Sequence, residues 1–151
     1  VFDRGFPVRH AVDGDWAGGQ SFIPTTNVIS KCILYLRSFG IPEFDLTVEL
    51  RENNPKGPLI NTVTIESLEV PSSWSWVNID FTDTIIDAGM NYFIVIPPAP
   101  SGVINSFGYE WGYAFSNQYD NGSFWFTRDG GSLWRDLPMM YEFSFKICGY
   151  E

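Results

Sequence analysis

The feature that most constrains this chain is a two-residue alternation of apolar and polar side chains, interrupted again and again by Pro and Gly. Residues 46–51 read Leu-Thr-Val-Glu-Leu-Arg, and residues 76–81 read Trp-Val-Asn-Ile-Asp-Phe. A period of two sends successive side chains to opposite faces of a strand. Leu46, Val48 and Leu50 are therefore expected on a buried face, with Thr47, Glu49 and Arg51 outward. By the same logic Val77, Ile79 and Phe81 point inward, and Trp76, Asn78 and Asp80 point outward. Residues 28–38 form a longer strand. Val28, Ser30, Cys32, Leu34 and Leu36 are assigned to one face, and Ile29, Lys31, Ile33, Tyr35 and Arg37 to the other. Residues 92–96 are unbroken apolar, which suits a strand covered on both sides.

The breaks fall at Gly40 and Pro42, at Asn53-Asn-Pro-Lys-Gly57, at Pro71-Ser-Ser, at Asp87-Ala-Gly89 and at residues 97–102. Further strands are read at 20–23, 59–65, 104–113, 123–128 and 142–148. About nine short strands, with turn signals every ~8–12 residues and no segment of helical period, define an all-β fold. The expected architecture is an antiparallel β-sandwich of jelly-roll type. The 151 residues fit one domain, 1–151. Residues 1–19 hold no sustained period and read as a lead-in segment, pinned to the body by Phe2, Phe6 and Trp16.

Charge excludes several functions. Nine Lys and Arg stand against 18 Asp and Glu, a formal net charge of −9. Nucleic acid needs cations on its phosphates, and an anionic membrane surface is disfavoured likewise. Neutral glycans and cations are compatible partners. No apolar run reaches the ~18 residues of a membrane span. The chain begins at Val1 and is read as a processed or excised piece of a larger multidomain protein. Cys32 shares parity with Leu34 and Leu36, whereas Cys148 shares parity with Ser144 and Lys146. That mismatch argues for two free thiols over a bridge.

Catalytic constellations are weak. His10 is the sole histidine and has no evident nucleophile partner. There is no Gly-x-Ser-x-Gly, no Gly-rich phosphate loop and no Cys/His zinc cluster. Most acids fall in turns or at solvent parity, so an enzyme is not expected. Asp13, Asp15 and Asp120, with Asn121, offer the hard oxygen ligands that Ca²⁺ takes. A structural calcium ion is the one cofactor these residues suggest.

Residues 127–134, Thr-Arg-Asp-Gly-Gly-Ser-Leu-Trp, fit the Asp-box pattern Ser/Thr-x-Asp-x-Gly-x-x-Trp. Its chemistry is local: the carboxylate accepts turn amides, glycine permits positive φ, and the Trp packs beneath the hairpin. It reads as a structural turn. The remaining constellation is aromatic: Trp74, Trp76, Tyr109, Trp111, Tyr113, Tyr119 and Trp125, with Asn117 and Asn121 between the later ones. Rings that stack on pyranose faces, beside amides and carboxylates that bind hydroxyls, are the chemistry of sugar recognition. Trp76, Trp111, Tyr113, Asn117, Tyr119, Asn121 and Trp125 are the candidate ligand residues. Core and hairpin packing is the competing account of each ring.

The order of segments resembles bacterial and archaeal secreted or cell-surface β-sandwich modules. The residues that carry it are Gln20-Ser-Phe-x-Pro24, Leu34-Tyr-Leu36 with Gly40, Leu46-Thr-Val-Glu-Leu50, and Trp76-Val-x-Ile-x-Phe81. They continue in Gly89-x-x-Tyr92-x-Ile-Val95, Trp111-Gly-Tyr, Tyr119-x-x-Gly-Ser123, Asp129-Gly-Gly-Ser-x-Trp134 and Phe143-x-Phe145-Lys. Such modules look like carbohydrate-binding modules appended to extracellular enzymes, adhesins and surface-layer proteins. The resemblance implies an extracellular or cell-surface location and carries over no catalytic residue. The function expected is non-catalytic carbohydrate binding. The alternative is a structural or protein-interaction module of a cell-surface or viral assembly, with no small ligand.

Overall fold

The alternating segments fold into two antiparallel sheets packed face to face. The computed structural model describes residues 4–9, 15–40, 42, 44–100, 108–115, 122–136 and 141–150. The strands among them are β1 (Arg4–Val8), β2 (Ala17–Phe22), β3 (Val28–Phe39), β4 (Leu46–Glu52), β5 (Leu59–Ile65) and β6 (Ser75–Ile85). They continue as β7 (Tyr92–Ile96), β8 (Gly108–Ala114), β9 (Phe124–Thr127), β10 (Arg135–Asp136), β11 (Glu142–Phe143) and β12 (Phe145–Tyr150). In the first sheet β8 pairs with β1, β3 and β11, and β3 also pairs with β12 and β6. The second sheet runs β10-β9-β2-β7-β4-β5. The helical content among the described residues is one short 3₁₀ turn, Ser67–Glu69. Among the described residues no helix is long and apolar enough to cross a membrane.

The core is what the alternation demands. Leu34, Leu36, Val77, Ile79, Phe81, Tyr109 and Trp111 from the first sheet meet Phe22, Leu46, Val48, Leu50, Ile94 and Phe124 from the second. Removing such faces from water is the main favourable term in folding. All of β7 is buried, as a strand covered on both sides should be. Gln20 is the polar exception. Its Oε1 accepts a 2.9 Å hydrogen bond from the Phe143 amide, and its Nε2 donates to the Ser21 carbonyl at 3.1 Å. One fully buried amide thus ties the two sheets together with its polar atoms satisfied.

Four readings of the sequence are corrected. Residues 4–8 belong to the first sheet, as an edge strand against β8. Gly5 and Pro7 occupy alternate positions there and hide the pattern; an edge strand tolerates Pro. Gly18 and Gly19 lie within β2, not in a lead-in. A Cβ on Gly18 would sit 2.8 Å from Phe143 Cζ, so the bare Cα makes room for that ring. The last strand is split at Ser144, whose amide bonds to Gly112 and whose carbonyl accepts from Tyr35. Finally, the parity of β3 reverses near its start. Ile29 is fully buried, while Val28 and Ser30 are only partly so.

A bulge causes that reversal. Ile29 pairs with Thr84 and Lys31 with Asp80, so Ser30 alone faces Phe81, Thr82 and Asp83. Thr82 and Asp83 both take positive φ, 57° and 55°. The Asp80 carboxylate accepts the Thr82 amide at 2.8 Å, and Asn61 Nδ2 donates to the Phe81 carbonyl at 2.9 Å. The extra residues loop outward, and the pairing resumes in the other phase.

Both cysteines are free. Ile147 stands opposite Cys32 and Cys148 opposite Lys31, which puts the two thiols on opposite faces of the sheet. Burial pushes the Cys32 thiol well above its ordinary range.

Candidate functional site

The structure distributes the predicted aromatic residues over three places. Trp111 is fully buried. Its indole stacks on Phe143 at 4.0 Å between centroids, and its Nε1 donates a 3.0 Å hydrogen bond to the Ser144 carbonyl. Both its apolar area and its polar atom are used by the fold, so it presents no face to a ligand. Tyr113 is half-buried in the neighbouring ring cluster, edge-on to Phe6, Phe115 and Tyr141. Trp125 lies on the outer side of the second sheet, edge-on to Phe93 at 5.6 Å, with Nε1 on Ser123 Oγ at 2.8 Å. Trp76 is on the outer side of the first sheet. The expectation of one surface spanning Trp111 to Trp125 is therefore corrected. Strand alternation sends Trp111 and Trp125 to different layers. Asn117, Tyr119 and Asn121 lie outside the described residues.

Trp76 belongs to a row that the sequence reading only partly assembled. It pairs across the strands with Tyr35, ring centroids 5.0 Å apart. Trp74 folds back from the preceding turn and stacks on Tyr35 at 5.4 Å and 18°. Gly5 forms the floor beneath it: a Cβ there would come within 2.7 Å of Trp74 Cζ2. The signal for Tyr35 was present, since it shares parity with Lys31 and Arg37. Trp74 lies outside any strand, so periodicity says nothing about where its ring goes.

Cations cap both ends of the row. Arg37 Cζ lies 5.1 Å from the Trp74 centroid, and Lys146 Nζ lies 4.4 Å from the Trp76 centroid. Ring faces carry negative quadrupole density and attract such groups. Arg37 also pairs with Glu110 of β8 at 2.6 Å. The other ion pair among the described residues joins Arg51 to Glu49; Lys31 and Lys146 are in neither. Trp76 is 45% exposed despite its neighbours. The result is an aromatic platform whose flanks carry hydrogen-bonding groups from Asn78, Arg37 and Glu110.

Residues 127–134 form a tight hairpin end on the second sheet. Asp129 Oδ1 accepts from the Leu133 amide at 3.0 Å and the Thr127 hydroxyl at 2.8 Å. Those donors, the Leu133 amide first, hold the Asp129 carboxyl below the usual carboxylate range. Gly130 and Gly131 take φ of 71° and 90°, which glycine adopts without strain. Trp134 Nε1 lies beside Gly131. The Thr127 and Asp129 side chains are thus occupied within the turn.

Of the acids proposed for calcium, Asp15 is described. Its backbone holds the hairpin, accepting from Gly130 and donating to Arg128. Among the described residues no three acidic, His or Cys side chains converge on a metal position. Asp13 and Asp120 lie outside those residues.

One cleft of about 430 Å³ opens between residues 22–26 and β12. Phe22, Ile23, Pro24, Phe145 and Ile147 give it an apolar lining, and Glu142 and Lys146 bring charge to it. Thr25 and Thr26 add hydroxyls to its wall.

No family model matches the chain, and no curated protein does. Among solved structures it is similar to CsCBM6-3 from Clostridium stercorarium in complex with cellobiose. The two are 11% identical with a TM-score of 0.42, over 86% of this chain and 88% of that one. It is also similar to part of a glycoside hydrolase family 43 arabinoxylan arabinofuranohydrolase from Bacillus subtilis in complex with cellotetraose. There the identity is 15% and the TM-score 0.41, over 79% of this chain and 20% of that one. The match thus spans about a fifth of that enzyme's length.

Proposed function

We propose that the chain is a non-catalytic, extracellular carbohydrate-binding module, part of a larger protein, with its sugar surface on the Trp74–Tyr35–Trp76 row. One observation carries the reading: Trp76 stands 45% exposed at the end of a row of rings on the outer side of a sheet. An exposed ring costs the fold stability it could have gained by burial, so a partner that covers it has an apolar driving force. A pyranose presents a face of C–H groups to the ring, while Asn78, Arg37 and Glu110 meet the hydroxyls at its rim. Trp125 would belong to a separate surface on the other sheet.

Affinity electrophoresis and calorimetry against a panel of soluble polysaccharides test this. Trp76→Ala should weaken binding at least about tenfold, or ~1.4 kcal/mol, while Trp125→Ala leaves it nearly unchanged. Full affinity in Trp76→Ala would reject the platform as the site. A calcium ion on Asp13, Asp15 and Asp120 belongs to the same proposal, and an unchanged melting temperature on chelation would remove it.

The reading as a protein-interaction module has one observation in its favour. Ile85, Val28 and Tyr150 stand side by side across three strands at the far end of the same sheet, and Ile85 is 80% exposed. Light scattering that shows a stable oligomer lost in Ile85→Ser would favour it.

A further inference from the structure

We infer that the ligand of this platform is an acidic polysaccharide, bearing carboxylate or sulfate groups, and that Lys146 is the residue that selects it. The inference rests on the platform reading and names the class of sugar. The whole chain carries −9, which by itself points away from anions. The outer side of the first sheet departs from that excess. Between Lys31 and Arg37 it presents three cations, Lys31, Arg37 and Lys146, against three acids, Asp80, Glu110 and Glu142, so it is locally balanced. Glu110 is neutralised by Arg37 at 2.6 Å. Asp80 accepts the Thr82 amide within the bulge and stands directly opposite Lys31 in the ladder. Lys31 and Lys146 are in neither ion pair of the described residues.

The position of Lys146 makes the charge selective. Its ammonium lies 4.4 Å from the centroid of Trp76, the most exposed ring of the row. A neutral sugar stacking there displaces the ammonium from the ring and gives it nothing in return. A sugar with an anionic substituent displaces it too, but becomes its counterion. Lysine suits this exchange, because its charge is a compact point on a flexible stem. Lys31 follows on the same face, diagonal to Lys146 through the Ile147–Cys32 pair. Diagonal neighbours are on the order of 7–8 Å apart, so a polymer carrying charge on successive units meets a second cation. The acidic remainder of the chain does not oppose this strongly, since at physiological salt charges beyond ~8 Å are screened.

The test uses the intact chain and matched pairs of polymers: polygalacturonate with its carboxyl-reduced form, and chondroitin sulfate with its desulfated form. The wild-type chain should bind at least one acidic polymer about tenfold more tightly than its neutral counterpart. The pair showing the difference tells carboxylate from sulfate. Salt of about 1 M, where the Debye length is ~3 Å, should abolish the preference. Lys146→Gln should abolish it too, so that the acidic and neutral forms bind equally. Trp76→Ala should weaken both forms. Equal binding of acidic and neutral polymers, or a preference that survives Lys146→Gln, overturns the inference and leaves the platform standing. Failure of every polymer to bind overturns the platform reading, and this inference with it.

Discussion

The indole of Trp111 and the ring of Phe143 lie parallel, 4.0 Å apart and 16° from coplanar, at the centre of the sandwich. Phe143 stacks on Phe124 of the opposite sheet in turn, at 4.2 Å. The two sheets are joined by a pile of three rings, and Trp111 is its largest member.

Trp111→Ala should therefore destabilise the chain by about 3–5 kcal/mol, the usual range for emptying a buried aromatic site. The Ser144 carbonyl loses one of its two donors and keeps the Tyr35 amide. Denaturant unfolding followed by circular dichroism measures it. Any ligand affinity that remains per folded molecule should equal that of the wild type, because the indole faces no solvent.

Gly5 offers the converse experiment. A Cβ there meets Trp74 Cζ2 and Glu110 Oε2, each at 2.7 Å. Trp74 belongs to the turn before β6 and not to a strand. Gly5→Val should lift it off Tyr35 and change the tryptophan fluorescence. We expect polysaccharide affinity to fall several-fold with stability held within ~1 kcal/mol. A variant that binds normally with a displaced Trp74 would show that the row ends at Tyr35.

The Asp129 carboxyl titrates lower in the folded chain than in the unfolded one, through the Leu133 amide and the Thr127 hydroxyl. A depressed folded value means that the ionised form stabilises the fold. That contribution is complete above the unfolded value, about 3.9, and is lost as pH falls through the folded one. The melting-temperature gap between wild type and Asp129→Ala should be constant above pH ~5 and should narrow below pH ~4. A gap independent of pH would mean that the carboxylate charge plays no part in the turn.

Alternation made the sheets legible. The inward faces of β4 and β6, and the two-sided burial of β7, follow from counting residues in twos. The hairpin at 127–134 was legible for a different reason: its chemistry is local, and Asp129 finds its donors within four residues. What the sequence concealed was whatever depends on a distant partner. Gly5 and Gly18 look like loop residues until Trp74 and Phe143 are seen to occupy the space above them. Parity already sent Trp76 outward with Asn78 and Asp80. For Trp111, between Glu110 and Gly112, only the sheets decide that the ring lies inside. Tyr35 was placed on the correct face by parity. Nothing in the linear order says that it lies between Trp74 and Trp76.

The bulge between Ser30 and residues 81–83 has a consequence for the whole outer surface. It acts as a phase shift in the β3–β6 ribbon, so the ribbon's two ends follow separate rules of inside and outside. The rings and cations lie on one side of the shift, and Val28, Ile85 and Tyr150 on the other. Removing Thr82 and Asp83 would not simply shorten a strand. Pairing would pass straight through Ser30, and either Ile29 would turn to solvent or the platform would turn into the core. The two-residue insertion is thus what lets one ribbon keep its core at both ends while showing the solvent two different characters.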